Sequence, residues 1–280
     1  MKLEYISQNG SILSLTNNSR FKLSNVDGIT TANVDISSST VSSMDGDFIN
    51  NKRTTPRSIV LDLAIENDVE NTKRYILKYI KAKQKAVLKW TQNDRELQIE
   101  GVVEAIEMPR YTSSTIMQVT IYCSQPYWED VDFLVQEISE ILNLHYFTDY
   151  DGDMLYFTEE GMPFGEYDTN RTKVFTNDGD VEVGLEIRII ALGEVVNPTI
   201  YKSNGEFIGV DTTLNAGDEV VITTEKGHKT ITLNGNNILS NIKERSTWLQ
   251  LQTGEEEFTI DSDSGESNMY FTISYKQRYV

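Results

Sequence analysis

The chain has 280 residues, 39% of them hydrophobic, and a formal charge of −18 from 43 Asp and Glu against 25 Lys and Arg. Such a length supports one large or two ordinary domains with real cores, while such acidity disfavours nucleic-acid recognition, which needs Lys and Arg to neutralise phosphates. The charge is uneven, with 15 basic and 16 acidic residues through Asp130 but 10 and 27 from Val131 onward, and the sequence therefore predicts domains at 1–130 and 131–280.

The opening MKLEYISQNG lacks the apolar core of a signal peptide. No run has the apolar length to cross a bilayer, so a soluble protein made in a cytoplasm, without membrane insertion, is expected. Alternation predicts strands at Lys2 to Ser7, Ile12 to Leu15 and from Phe21, with turns at Asn9-Gly10 and Asn17-Asn18. Between Thr30 and Pro56 the chain is rich in Ser, Thr, Asn and Asp, and is too long for an ordinary connection. It reads as a disordered loop or as an extended arm that orders against a neighbouring subunit. The apolar residues Val34, Ile36, Val41, Phe48 and Ile49 favour the arm.

A strand over Arg57 to Ile65 leads into one helix. Asn67 and Glu70 suggest a capping box, and Val69, Ile76, Tyr79 and Ile80 recur at helical spacing through about Lys83. Lys73, Arg74, Lys78 and Lys81 lie on its other face, which is either a solvated surface or a contact for an acidic partner. Further strands are predicted at Ala86 to Trp90 and Leu97 to Ile106. The stretch YTSSTIMQVTIYCSQPYW, Tyr111 to Trp128, alternates as a strand until Pro126 ends it before the aromatic pair Tyr127 and Trp128. A short second helix is expected within Phe133 to Tyr146. Acidic turns follow around Asp149 to Asp153 and Asn177 to Asp180. From Val181 short alternating strands, broken by Asn204-Gly205, Lys226-Gly227 and Asn234-Gly235, describe an antiparallel sandwich.

Chemistry-bearing patterns are sparse. Cys123, the single cysteine, falls on an apolar strand face, where a buried inert thiol is expected rather than a nucleophile. The two histidines, His145 and His228, stand far apart, and no serine sits in a GxSxG elbow. Asp261, Asp263, Gly265 and Glu266 superficially suggest a calcium loop, but the glycine comes fifth and the twelfth position is Thr272, so an acidic hairpin turn is expected there and at Asp149, Asp151 and Asp153. Neither GxGxxG nor a phosphate-binding GxxxxGK[ST] occurs. We therefore expect no catalytic, cofactor-binding or metal-binding residues, no cofactor and no enzyme. A building block or an adhesive module remains.

Several stretches resemble the distal tail protein (Dit) family of long-tailed bacteriophages. They are Asp45-Gly46, RSIVLDLAI, the basic helix, ELQIEGVVEAIE and YCSQPYW in the first half. In the second they are Asn197-Pro198-Thr199-Ile200, Asn215-Ala216-Gly217-Asp218-Glu219 with VVITTEKGHKTITLNGNN, and the aromatic-basic Tyr275-Lys276-Gln277-Arg278-Tyr279. The resemblance implies a mainly β protein. Its first domain, an α+β unit with one helix and an arm, would form a homohexameric ring, and its second would be a galectin-like β-sandwich. It also implies a virion structural role at the tail tip or baseplate, joining the tail tube protein to a tail-associated tip protein, with receptor-binding or side-fibre proteins as further partners. We assign the arm to residues 30–56 from length and composition. The alternative is a carbohydrate-binding module for host-surface recognition, for which Trp248, within TWLQLQ, is the one tryptophan of the second domain. Its alternating neighbours suit a packed strand better than a sugar platform.

Overall fold

A computed structural model describes residues 2–40, 42, 45–93, 95–108, 115–137, 141–142, 166–167 and 171–280. The chain divides into two compact units, Met1–Asp132 with Arg278–Val280, and Phe133–Gln277. It is mainly β.

The first unit contains β1 (Lys2–Ser7), β2 (Ile12–Ser14), β3 (Lys22–Asp27), β4 (Val34–Thr40), β5 (Asp47–Thr54), β6 (Arg57–Ile65), α1 (Val69–Tyr79), β7 (Lys85–Gln92), β8 (Arg95–Glu107), β9 (Thr115–Cys123) and β10 (Trp128–Asp130). Its main sheet runs β2-β1-β7-β8-β9-β6-β3, antiparallel throughout, and β10 adds to β8. Period-two patterning explains which faces are inside. Along β6 the residues Arg57, Ile59, Leu61, Leu63 and Ile65 are buried, and along β9 so are Met117, Val119, Ile121 and Cys123. These meet Leu3, Tyr5, Leu88, Ile99 and Trp128, with Ile76 and Ile80 contributed from the helical segment, in one apolar core.

The helix begins and ends differently from the expectation. Asp68, not Asn67, is the N-cap, in a left-handed conformation (φ 48°, ψ 56°) that makes no side-chain cap. Its carboxylate is engaged instead by Asn71 Nδ2, at 2.9 Å to each oxygen, so no capping box forms. At the other end Ile80 turns extended to reach the core, and Lys83 takes φ 67° as the chain turns into β7, which stops α1 at Tyr79 rather than Lys83.

The second unit contains β11 (Leu134–Glu137), β12 (Ile141–Leu142), β13 (Glu166–Tyr167), β14 (Thr172–Asn177), β15 (Val183–Gly184), β16 (Glu186–Ala191), β17 (Val195–Val196), β18 (Thr199–Lys202), β19 (Phe207–Gly209), β20 (Thr213–Leu214), β21 (Glu219–Glu225), β22 (His228–Leu233), β23 (Asn236–Asn237), β24 (Gln250–Leu251), β25 (Gly254–Asp261) and β26 (Met269–Tyr275). One sheet has the order β11-β26-β16-β21-β22-β23 and the other β14-β25-β18-β19. Ile187, Ile189, Ile222, Phe271 and Ile273 from the first sheet and Phe175, Ile200, Ile208 and Phe258 from the second share a single core, which is a sandwich arrangement. The helix expected within 133–146 is absent from the described part, where β11 pairs with β26 in the register Leu134↔Tyr275. Three consecutive apolar residues, Phe133, Leu134 and Val135, beside an open strand edge let sheet pairing override a weak helical period. Residues 138–140 and 143–146 lie outside the described residues, as do His145, Asp149, Asp151 and Asp153.

The chain then returns to the first unit, where β27 (Arg278–Tyr279) pairs with β10.

Candidate functional site

The segment expected to form an arm is a two-stranded hairpin. β4 and β5 pair only with each other, and every residue of both strands is exposed except Thr54, which is half-buried. Isolated two-stranded hairpins are marginal in water, and open strand edges invite pairing, yet this element is left with uncovered edges and faces among the described residues.

Its register sorts the apolar side chains. Val34 pairs with Thr54 and Ile36 with Lys52, but the register shifts between Ser37 and Ser38, so that Ile49 faces Ser38 and Phe48 faces Ser39. Cross-strand partners share a face. Val34, Ile36 and Ile49 therefore form a stripe on one face and Phe48 lies on the other. Without the bulge at Asn50, Phe48 and Ile49 would exchange faces. The stripe residues are 56%, 57% and 64% exposed. Because each is already partly covered, burying the remainder would stabilise a complex by about 1–2 kcal/mol for each side chain.

The root of the hairpin is held as firmly as its strands are free. Thr55 donates its backbone N–H to the Asn33 carbonyl at 2.9 Å. Tyr127 donates its hydroxyl to Thr54 Oγ1 at 3.0 Å, and Trp128 Nε1 donates to the Ile29 carbonyl at 3.0 Å. Arg57, only 3% exposed, donates Nη1 to the same carbonyl at 3.0 Å. Its Nε and Nη2 have no partner among the described residues. Trp90 packs edge-on against Trp128 with centroids 5.6 Å apart, fixing the indole. The aromatic pair that ends the YCSQPYW stretch is thus the clamp of the hairpin. Sequence reasoning singled out both elements and did not connect them, because a contact spanning 99 residues leaves no local signal.

Cys123 lies opposite Arg57 in the β6–β9 register. Burial pushes its thiol up to about 11, the Arg57 charge opposing only in part, so it is a protonated core residue at neutral pH. The acidic turn of the second unit is dispersed among separate partners. Asp263 accepts from Asn197 Nδ2 at 2.7 Å, Asp261 accepts from the Ser262 N–H at 2.9 Å, and Glu266 pairs with Arg171. No group of three or more His, Cys, Asp or Glu side chains that could hold a metal occurs among the described residues. His228 opens β22 and is exposed. Trp248 is half-buried against the second core, with Lys229 Nζ 5.4 Å from its ring centroid. The cations expected on the helix face outward: Arg74 and Lys78 on α1 and Lys81 just beyond it are exposed, and Lys73 is half-buried.

Residues 178–279 match the family described as siphovirus-type tail component, C-terminal domain, of the SPP1 Dit type. A search of curated proteins returned no match. Among solved structures the chain is similar to the Dit protein of phage SPP1, described as a paradigm of the hub adsorption apparatus in phages infecting Gram-positive hosts. The TM-score is 0.72 at 13% identity, over 99% of each chain. It is also similar to a chain of the phage P2 baseplate in its activated conformation with Ca, with a TM-score of 0.51 at 12% identity, over 99% of this chain and 98% of that one. Identities this low show a shared fold.

Proposed function

We propose that this chain, whose residues 178–279 match the siphovirus-type tail component model, is a member of the Dit family and forms a homohexameric ring joining the tail tube to the tail tip or baseplate. In this reading it is a structural hub rather than an enzyme, located in the virion tail. Its first unit builds the ring, and its second, a galectin-like sandwich, offers a face to tip and receptor-binding components. The observation that carries the reading is the β4–β5 hairpin, pinned at its root yet exposed on both faces. An element with an uncovered Val34, Ile36 and Ile49 stripe suits a heterologous contact, in which each copy grips the next and the ring closes. Light scattering on the purified chain tests it. Hexamers are expected, and a strict monomer at high concentration would overturn the ring.

A further inference from the structure

Six basic side chains, Lys73, Arg74, Lys78, Lys81, Lys83 and Lys85, follow one another along α1 and the turn into β7, and none has an ion-pair partner among the described residues. Elsewhere in the same unit Lys2 is paired with Glu4, Lys22 with Glu66, Arg53 with Asp35, Lys89 with Glu96 and Arg278 with Glu129. The run along α1 is therefore unusual for so acidic a chain. Where α1 ends, Lys78, Tyr79 and Lys81 border an open cleft of about 370 Å³, lined also by Ser7, Gln8, Asn9 and Gln84. No carboxylate lines it. Ammonium, phenol and amide groups together offer donors in excess of acceptors, which suits a carboxylate guest.

We propose that this cleft receives the Asp45-Gly46-Asp47 tip of the β4–β5 hairpin from a second copy of the chain. The inference rests on the ring reading and names the surface that the hairpin grips. Both aspartates are exposed, Asp47 accepting only from the cross-strand Ser38 hydroxyl at 3.1 Å among the hydrogen bonds of the described residues, and Gly46, at φ +91°, has no atom within 4 Å of the place a Cβ would occupy. The strand behind it, β5, has eight residues and at ~3.3 Å each spans roughly 26 Å, enough to reach across to another molecule. Opposite charges on the two ends of one heterologous contact also let every copy both give and receive. A phosphate backbone is the less favourable guest, because the part of the chain that carries the cleft has no net basic charge, with 15 Lys and Arg against 16 Asp and Glu through Asp130.

Charge reversal on the full chain tests the pairing. K78E/K81E and D45K/D47K, each confirmed as folded by circular dichroism, are expected to raise the dissociation constant of the assembly roughly tenfold or more, as close interfacial charge pairs do. The four-substitution combination is expected to restore it. Reversals without effect on assembly, or losses that the combination does not rescue, would overturn the proposal. So would retention of short duplex DNA by the wild-type chain that K78E/K81E abolishes while assembly persists. A wild-type chain that never assembles would instead remove the ring reading itself, so the two failures are distinguishable.

Discussion

The Trp128 indole donates its N–H to the Ile29 carbonyl at 3.0 Å, and the buried Arg57 guanidinium donates to that same oxygen. One carbonyl thus anchors the chain just before the hairpin leaves the first unit, and both donors come from elements that belong to the core. Replacing Trp128 by Phe keeps an aromatic ring but removes the donor and some volume. A loss of about 1–3 kcal/mol in urea unfolding is expected, with faster trypsin cleavage after Lys52 and Arg53, identified by mass spectrometry of the digest. Unchanged cleavage kinetics would mean that the root is held by other contacts.

The exposed stripe separates self-stability from assembly. Ile36→Ser with Ile49→Ser removes side chains that touch water, so unfolding of the monomer should shift by no more than about 0.5 kcal/mol. Assembly measured by light scattering should weaken markedly in the same protein. A large loss of monomer stability would place the stripe against its own copy.

Gly28 sits beside the anchor at φ +77°, and a Cβ there would lie 2.2 Å from the Ser58 carbonyl oxygen. Gly28→Ala must shift either the root or β6, and a cost of about 2 kcal/mol or more is expected in thermal melts, with the hairpin loosened as in the Trp128 variant. A neutral melt would show that this turn adapts freely.

Acid should weaken the second unit through Asp218. The Asn215 N–H and the Asn234 amide hold its carboxylate below the ordinary Asp value. Because the folded pKa is the lower one, the stabilisation is complete above the unfolded value and is lost as pH falls through the folded value. The difference in melting temperature between wild type and Asp218→Asn is therefore expected to shrink as pH drops from 6 to below the Asp range, a comparison in which the global charge effect largely cancels. A constant difference across that range would remove Asp218 as a source of pH dependence.

Local pattern revealed most of the strands. In β6 and β9 the alternation of Ile59, Leu61, Leu63 with their polar neighbours, and of Met117, Val119, Ile121 with theirs, was enough to place both faces. The boundaries of α1 differ from those its spacing predicts because Asp68 adopts a left-handed conformation that composition does not announce, and because the core draws Ile80 out of the helix. At Phe133 to Val135 an available neighbour, β26, decided the outcome over intrinsic preference. The hairpin was visible as an anomaly of length and composition. Its bulge at Asn50, which decides whether Phe48 or Ile49 joins the stripe, depends on pairing register and had no signature in single residues.

The second unit is spliced into the first, since the chain leaves after Asp132 and comes back at Arg278. Its two ends lie on neighbouring strands, with Leu134 opposite Tyr275, so an entire sandwich occupies the place of a short connection. During synthesis β10 must wait without its β27 neighbour until some 150 further residues have left the ribosome, about 8–30 s at ordinary elongation rates. For that interval Trp128 and Glu129 border an unfinished sheet margin, and a chaperone has time to shelter it.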